Sequence, residues 1–169
     1  QWTTQWTNLS DGMQCTSFYR LSSSKNKAGR IIAGSQDNAT FYYDGNNWTT
    51  LFGGDGMDNY LDPLNNQKII GSSQFGNFYY SGNGPQLGTV VGTNPNNESS
   101  EWVTPIVAAY NYPGVLYVGN ENVVQSTDGG LSWNALTSFS NGTFANTEIS
   151  ALAVAPSNSN IVYAARRVR

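Results

Sequence analysis

The 169-residue sequence contains no histidine. That excludes Ser-His-Asp and Cys-His nucleophilic systems, and zinc sites built on imidazole. Cysteine is almost as scarce: Cys15 stands alone and has no partner for an intramolecular disulfide. Charged residues make up only 11% of the chain, with a net charge of -3. So weak an acidic balance leaves no electrostatic footprint for nucleic acid or an anionic membrane. The only basic cluster, Arg166, Arg167 and Arg169, reads as a solvated strand edge. No apolar run approaches the roughly 20 residues of a membrane helix, so no direct membrane insertion is expected. No Asp-x-Asp-x-Asp-Gly loop or Cys/His cluster points to a metal, and no motif points to a cofactor. No segment holds a 3.6-residue apolar period over three turns, so almost no helix is expected. The chain opens on Gln1 without a signal-peptide pattern, which reads as a processed protein or an excerpt from a longer one.

What the chain does have is aromatic residues, at 13%, with Thr, Val and Ile in short runs. Asn, Ser, Gly and Asp fill the gaps between those runs. This is the composition of many short strands joined by tight turns. Asn-x-Ser/Thr sequons occur at Asn8, Asn38, Asn47, Asn97 and Asn141. With Asn, Ser and Thr so abundant, chance accounts for most of them, and they are weak evidence for glycosylation.

The sequence repeats itself. GSQDNATFYYDG from Gly34 and GSSQFGNFYYSG from Gly71 align without a gap. WTNLSDGM from Trp6 and WTTLFGGDGM from Trp48 share Trp-Thr-x-Leu and Asp-Gly-Met, and WNAL at Trp133 is a third copy of the first half. The runs RIIAGS, KIIGSS, VLYVGN and IVYAAR each follow a turn rich in Asn, Pro, Gly or Lys, and another apolar run precedes each turn. The repeat of about 37 to 46 residues accommodates four strands, the arithmetic of a propeller blade. The fold expected is all-β: a β-propeller of four-stranded antiparallel blades, with about three and a half blades present.

Strands are lettered A to D from the inside of each blade outwards. Residues 11–53, 54–93 and 94–138 form three blades, and 139–169 a half-blade with strands A and B only. Residues 1–10 read as the outer strand of a preceding blade. A propeller removes most of its edges by closing its ring. The inventory therefore reads as a partial arc of a larger ring, completed by remaining blades of the same protein or by a partner chain. The alternative is a small ring closed by the N-terminal strand.

Ser126, Asp128, Gly130 and Trp133 fit the pattern Ser-x-Asp-x-Gly-x-x-Trp. This resembles the Asp-box, or bacterial neuraminidase repeat, of sialidases, sortilin-type propellers, family 74 xyloglucan hydrolases and photosystem-assembly propellers. An Asp at that place can accept hydrogen bonds from the turn's own N–H groups. The resemblance implies a structural box on the C–D turn, on the face away from any active site. Asp44, Gly45 and Trp48 keep a shortened version, and Ser81 and Gly82 a remnant. GSQDNAT followed by a Trp-bearing strand and GGDGM resembles a pattern in large secreted propellers of Bacteroidetes, sortilin-like or glycosidase-like, often exported by the type IX route. That resemblance implies a secreted or cell-surface protein.

Propeller topology puts the A–B and C–D turns on one face and the B–C and D–A loops on the other. The second face is the candidate ligand surface. It gathers Gln36, Asp37 and Asn38, then Gln74, then Asn120, Glu121 and Asn122 from B–C loops. The D–A loops add Asp55, Glu98, Glu101 and Glu148, with Phe75, Trp102 and Phe144 as aromatics. Amides and aromatics suit glycans and polar protein segments. The first expectation is thus a binding or scaffold module for glycans or proteins, with Gln36, Asn38, Gln74, Asn120 and Glu121 as ligand contacts. The second is a glycoside hydrolase, which needs two carboxyl groups about 5–9.5 Å apart. Asp37 and Asp55 are the best pair, with Glu101 or Glu121 as substitutes. The recurrence of Asp-Gly-Met at Asp11 favours a turn role for Asp55. A sialidase would need an arginine cluster that Arg20 and Arg30 do not supply. A purely architectural role remains.

Overall fold

The computed structural model describes residues 7–13, 15–85, 91–93, 95–139 and 147–167. Three four-stranded antiparallel sheets follow one another along the chain. The first holds β1 (Phe18–Ser23), β2 (Ile31–Ser35), β3 (Thr40–Tyr43) and β4 (Trp48–Phe52). The second holds β5 (Asn59–Leu61), β6 (Ile69–Ser73), β7 (Asn77–Ser81) and β8 (Val91–Thr93). The third holds β9 (Ile106–Ala108), β10 (Leu116–Gly119), β11 (Val123–Ser126) and β12 (Asn134–Ala135). A two-stranded sheet of β13 (Ile149–Val154) and β14 (Val162–Arg166) comes last. In every sheet sequential strands are neighbours, as in propeller blades. Helix is limited to two 3-10 turns, Gln74–Gly76 and Pro95–Asn97, among the described residues. Of the segment 1–10 expected to be an outer strand, residues 1–6 lie outside the described residues, and residues 7–10 are in no strand.

The inner strands β1, β5, β9 and β13 pack in succession, so the sheets stand as blades around a common axis. Three apolar layers lie between neighbouring blades. Ile32, Tyr42, Leu51 and Phe52 of the first blade meet Leu61, Ile69 and Tyr79 of the second. Tyr60, Ile70, Phe78 and Tyr80 meet Ile106, Leu116, Val118 and Val124 of the third. Tyr117 and Val123 meet Ile149, with Leu152 and Val154 alongside. Strands β5, β6, β7, β9, β10 and β11 of the second and third blades alternate their side chains between two such layers, because strand side chains have a period of two.

This alternation corrects the spacing of the repeat. Ile32 pairs with Tyr42, and Ile70 pairs with Tyr80; each pair faces the following blade. The structural equivalence is therefore Ile32 with Ile70, one residue beyond the gap-free alignment of GSQDNATFYYDG with GSSQFGNFYYSG. The aligned Tyr42 and Tyr79 point in opposite senses around the ring, and both enter the same layer. A slip of one residue moves a side chain to the other face of the sheet.

The first blade's other face is less covered. Trp48 is 52% exposed and lies 4.9 Å from Tyr43 and 6.2 Å from Phe18, ring centre to ring centre. Together with Phe41, Cys15 and Thr16, Phe18 and Trp48 line an open cavity of about 460 Å³.

Candidate functional site

The turn from Ser126 to Trp133 joins β11 to β12, and its chemistry is internal. Asp128 Oδ1 accepts the Ser126 hydroxyl at 2.7 Å and the backbone N–H groups of Leu131 and Ser132 at 3.0 Å. Its Oδ2 accepts the Ser132 hydroxyl at 2.6 Å. Ser126 Oγ in turn accepts the Gly130 N–H at 2.8 Å. Gly130 has φ 98°, and a Cβ there would press on Ile70, so both conformation and space require glycine. Trp133 packs beneath, 6.3 Å from the Phe78 ring. Burial works against ionisation of Asp128, but the bonds from Ser132, Ser126 and Leu131 outweigh it and bring the carboxyl to about 2. Asp44 does a smaller version of this work, accepting Asn46 and Asn47 N–H at 2.8 Å. Asp62 caps an A–B turn the same way, through Leu64 and Asn65. All three aspartates lie on one rim, hereafter the turn face.

The opposite rim, the loop face, is built by B–C and D–A loops that bond to one another. Asp55 lies between the first two blades. Its Oδ1 accepts the backbone N–H of Asp37 at 2.5 Å, and its Oδ2 accepts the Gln74 side-chain amide at 2.6 Å. One carboxylate thus joins the B–C loops of the first two blades. Glu98 repeats the device farther round, accepting the backbone N–H of Asn122 at 2.8 Å and its side-chain amide at 2.9 Å. Ser99 donates to Glu148 at 3.0 Å, which links the next loop.

The residues expected to meet a ligand separate into three groups. Gln36, Asp37 and Asn38 are exposed, and Asp37 holds φ 58°. Gln74 and Glu121 are half-buried, and the Glu121 carbonyl accepts Arg166. Asn120 is fully buried: it accepts the Ser100 hydroxyl at 2.8 Å and donates to the Pro95 carbonyl at 2.7 Å. It holds the loop from beneath rather than facing outward. Phe144 lies outside the described residues.

Between the first two blades the loop face opens into a cavity of about 400 Å³ lined by Phe52, Gly54, Ser73, Gln74 and Tyr79, among others. Beside Gln74, Phe75 is 57% exposed and Trp102 40% exposed. Their rings meet edge to face at 89°, with centroids 5.1 Å apart. Phe75 holds φ 57°, a left-handed conformation that costs a bulky residue of order 1–3 kcal/mol. Its N–H donates to the Trp102 carbonyl at 3.4 Å. Trp102 Nε1 reaches Tyr19 Oη of the first blade's inner strand at 3.4 Å. Residues of three successive elements around the axis, Tyr19, Phe75 and Trp102, thus form an aromatic cluster at the rim.

One group was missed in the sequence. Asp58, at the start of β5, accepts the N–H of Asn59 at 2.9 Å and the N–H of Ile106, from the next blade, at 3.1 Å. Burial pushes its carboxyl up to about 6, against the pull of those two N–H groups and of Arg20. Among the described residues no group of three or more Asp, Glu or Cys side chains is placed to hold a metal ion. No helix is long and apolar enough to cross a membrane, again among the described residues.

Against solved structures, the chain matches an ancestral GH74 enzyme with a TM-score of 0.68 over 90% of its own length and 23% of that chain, at 18% identity. It also matches Raptor of Chaetomium thermophilum, with a TM-score of 0.56 over 85% of its length and 14% of that chain, at 13% identity. The fold is that of β-propeller blades. The chain spans under a quarter of either protein, and at these identities the likeness extends to the fold alone. No protein-family model matches the sequence, and neither does any curated protein.

Proposed function

We propose that this arc of blades is a binding or scaffold module of a secreted or cell-surface protein, and that its ligand, a glycan or a polypeptide, sits on the loop face. The observation that carries this reading is the exposed Phe75–Trp102 pair beside the Asp55–Gln74 bracket. A large aromatic residue held at positive φ with its ring in solvent is costly, and such cost is commonly met at recognition sites. The neighbouring amides and carboxylates supply directional partners for hydroxyl or amide groups. Composition and the Asp-box resemblance support the extracellular setting. The remaining blades of the same protein, or a partner chain, would flank the arc.

Hydrolysis of a glycoside is the weaker reading. It draws on the likeness to a GH74 enzyme, which extends to the fold. Its best carboxylate pair is Asp37 and Asp55, and Asp55 has both oxygens engaged in joining loops. A glycan array combined with a reducing-sugar release assay separates the two. Retention of glycans without turnover supports the binding module. Turnover that disappears in Asp37→Asn together with Asp55→Asn supports the hydrolase.

A further inference from the structure

The two faces of the arc differ in charge. All three lysines, Lys25, Lys27 and Lys68, and also Arg30, lie in or beside the A–B turns of the turn face. The carboxylates there, Asp44, Asp62 and Asp128, are occupied with their own turns. The loop face carries Asp37, Asp55, Glu98, Glu101, Glu121 and Glu148 and no lysine among the described residues. Its described cations are Arg20, near Asp58, the exposed Arg167, and Arg166, whose guanidinium lies 4.4 Å over the Phe139 ring and donates to Thr147 and to the Glu121 carbonyl; the six carboxylates still outnumber these three. The electrostatic field over this face therefore attracts positive charge.

The aromatic pair lies within that field. Asp55 bonds to Gln74, the residue before Phe75, and Glu101 immediately precedes Trp102. Both rings of this edge-to-face pair are exposed and stand at 89°, so π surface of each is open to solvent in the angle between them, and such surface attracts an ammonium group. A flat sugar ring stacks best on a single broad platform, whereas a compact cation fits a corner. The protein already shows the contact type twice: Arg166 over Phe139, and the Lys25 ammonium 5.0 Å above the Tyr110 ring.

We infer that the Phe75–Trp102 corner receives a lysine or arginine side chain of a basic polypeptide segment docked on the loop face. The inference rests on the reading of the loop face as the ligand surface and narrows its ligand to a cationic polypeptide. The carboxylates steer the segment and set its register, and the aromatic corner holds one cation out of water.

The test uses a fluorescent ten-residue peptide of alternating lysine and glycine, the same peptide with every lysine acetylated, and a neutral β-linked hexasaccharide. Each is titrated into the 169-residue chain and into Phe75→Gly, followed by anisotropy for the peptides and calorimetry for the sugar. Glycine suits φ 57°, so this variant relieves backbone strain while removing the ring, and lost binding is not lost folding. The expected result is binding of the lysine peptide, at least about tenfold weaker binding after acetylation, and weakening of about three- to tenfold in Phe75→Gly. Raising salt from 50 to 500 mM weakens binding further. Equal binding of the acetylated peptide, or an unchanged affinity in Phe75→Gly, overturns the inference. Binding of the hexasaccharide alone, lost in Phe75→Gly, overturns it too but leaves the loop face as the ligand surface. Failure of all three probes removes both.

Discussion

The carboxylate of Asp55 holds the backbone N–H of Asp37 at 2.5 Å, across 18 residues of sequence. Through its other oxygen the same side chain holds Gln74 of the next blade. The two residues that the hydrolase reading would pair are thus joined directly, the side chain of one holding the backbone of the other.

Replacing Asp55 by alanine removes both bonds and leaves the Asp37 N–H without its acceptor. A charge-assisted hydrogen bond contributes about 1.5–3 kcal/mol. Asp55 is only partly buried, so a loss of about 1–2 kcal/mol is expected in urea unfolding. Amide exchange in residues 36–39 and 74–76 accelerates with it, while the turn around Asp128 is unchanged.

Asp128→Ala breaks the Ser126–Ser132 network and costs about 2 kcal/mol by the same scale. The pH dependence has a definite sign. The folded carboxyl lies at about 2, below its ordinary 3.8. Its contribution is therefore complete above about pH 4 and is lost as the pH falls through 2. Thermal unfolding from pH 5 to pH 2 in parent and variant shows the gap between them closing at the acid end.

Asp58 acts in the opposite direction. Its folded carboxyl lies near 6, above its ordinary 3.8. Over the window between those values the folded chain binds the extra proton, so this group adds stability as the pH falls from about 7 to 4. Asp58→Asn removes the titration. It also turns an amide N–H₂ toward Asn59 or Ile106, so the variant is less stable at acid pH. The measurement is the slope of unfolding free energy against pH between 4 and 6, which flattens in Asp58→Asn.

Trp133 packs beneath the Asp128 turn with its indole N–H buried and unpaired. Phenylalanine keeps most of the apolar contact and removes that unpaired donor. Trp133→Phe is expected to change stability by less than about 1 kcal/mol, whereas Trp133→Ala costs about 3–5 kcal/mol. Denaturant unfolding of the two variants separates packing from the polar group.

The blade architecture was legible because strand composition and turn residues recur in the same order, with successive B strands starting at Ile31, Ile69, Leu116 and Val162. The register was not. The Phe-Tyr-Tyr triplets at 41–43 and 78–80 invite an alignment at 37 residues, but the paired layers require 38. Matching letters do not reveal which face a side chain takes, and a single residue reverses it. The loop face was legible from topology. The work done by its members was not, because Asp55, Glu98 and Asn120 act on residues 18, 24 and 20–25 positions away. Asp58 carried no signal at all: tertiary packing buries it, and one of its two N–H donors, Ile106, lies 48 residues on.

The proposed function puts ligand on the loop face and not on the turn face. Hydrogen–deuterium exchange with and without the best-binding probe tests it most directly. Protection confined to residues 36–39, 74–76, 98–102 and 120–122 is the result the structure leads us to expect. Protection at residues 44–47, 62–67 and 127–132 instead, with the loops unchanged, would contradict it.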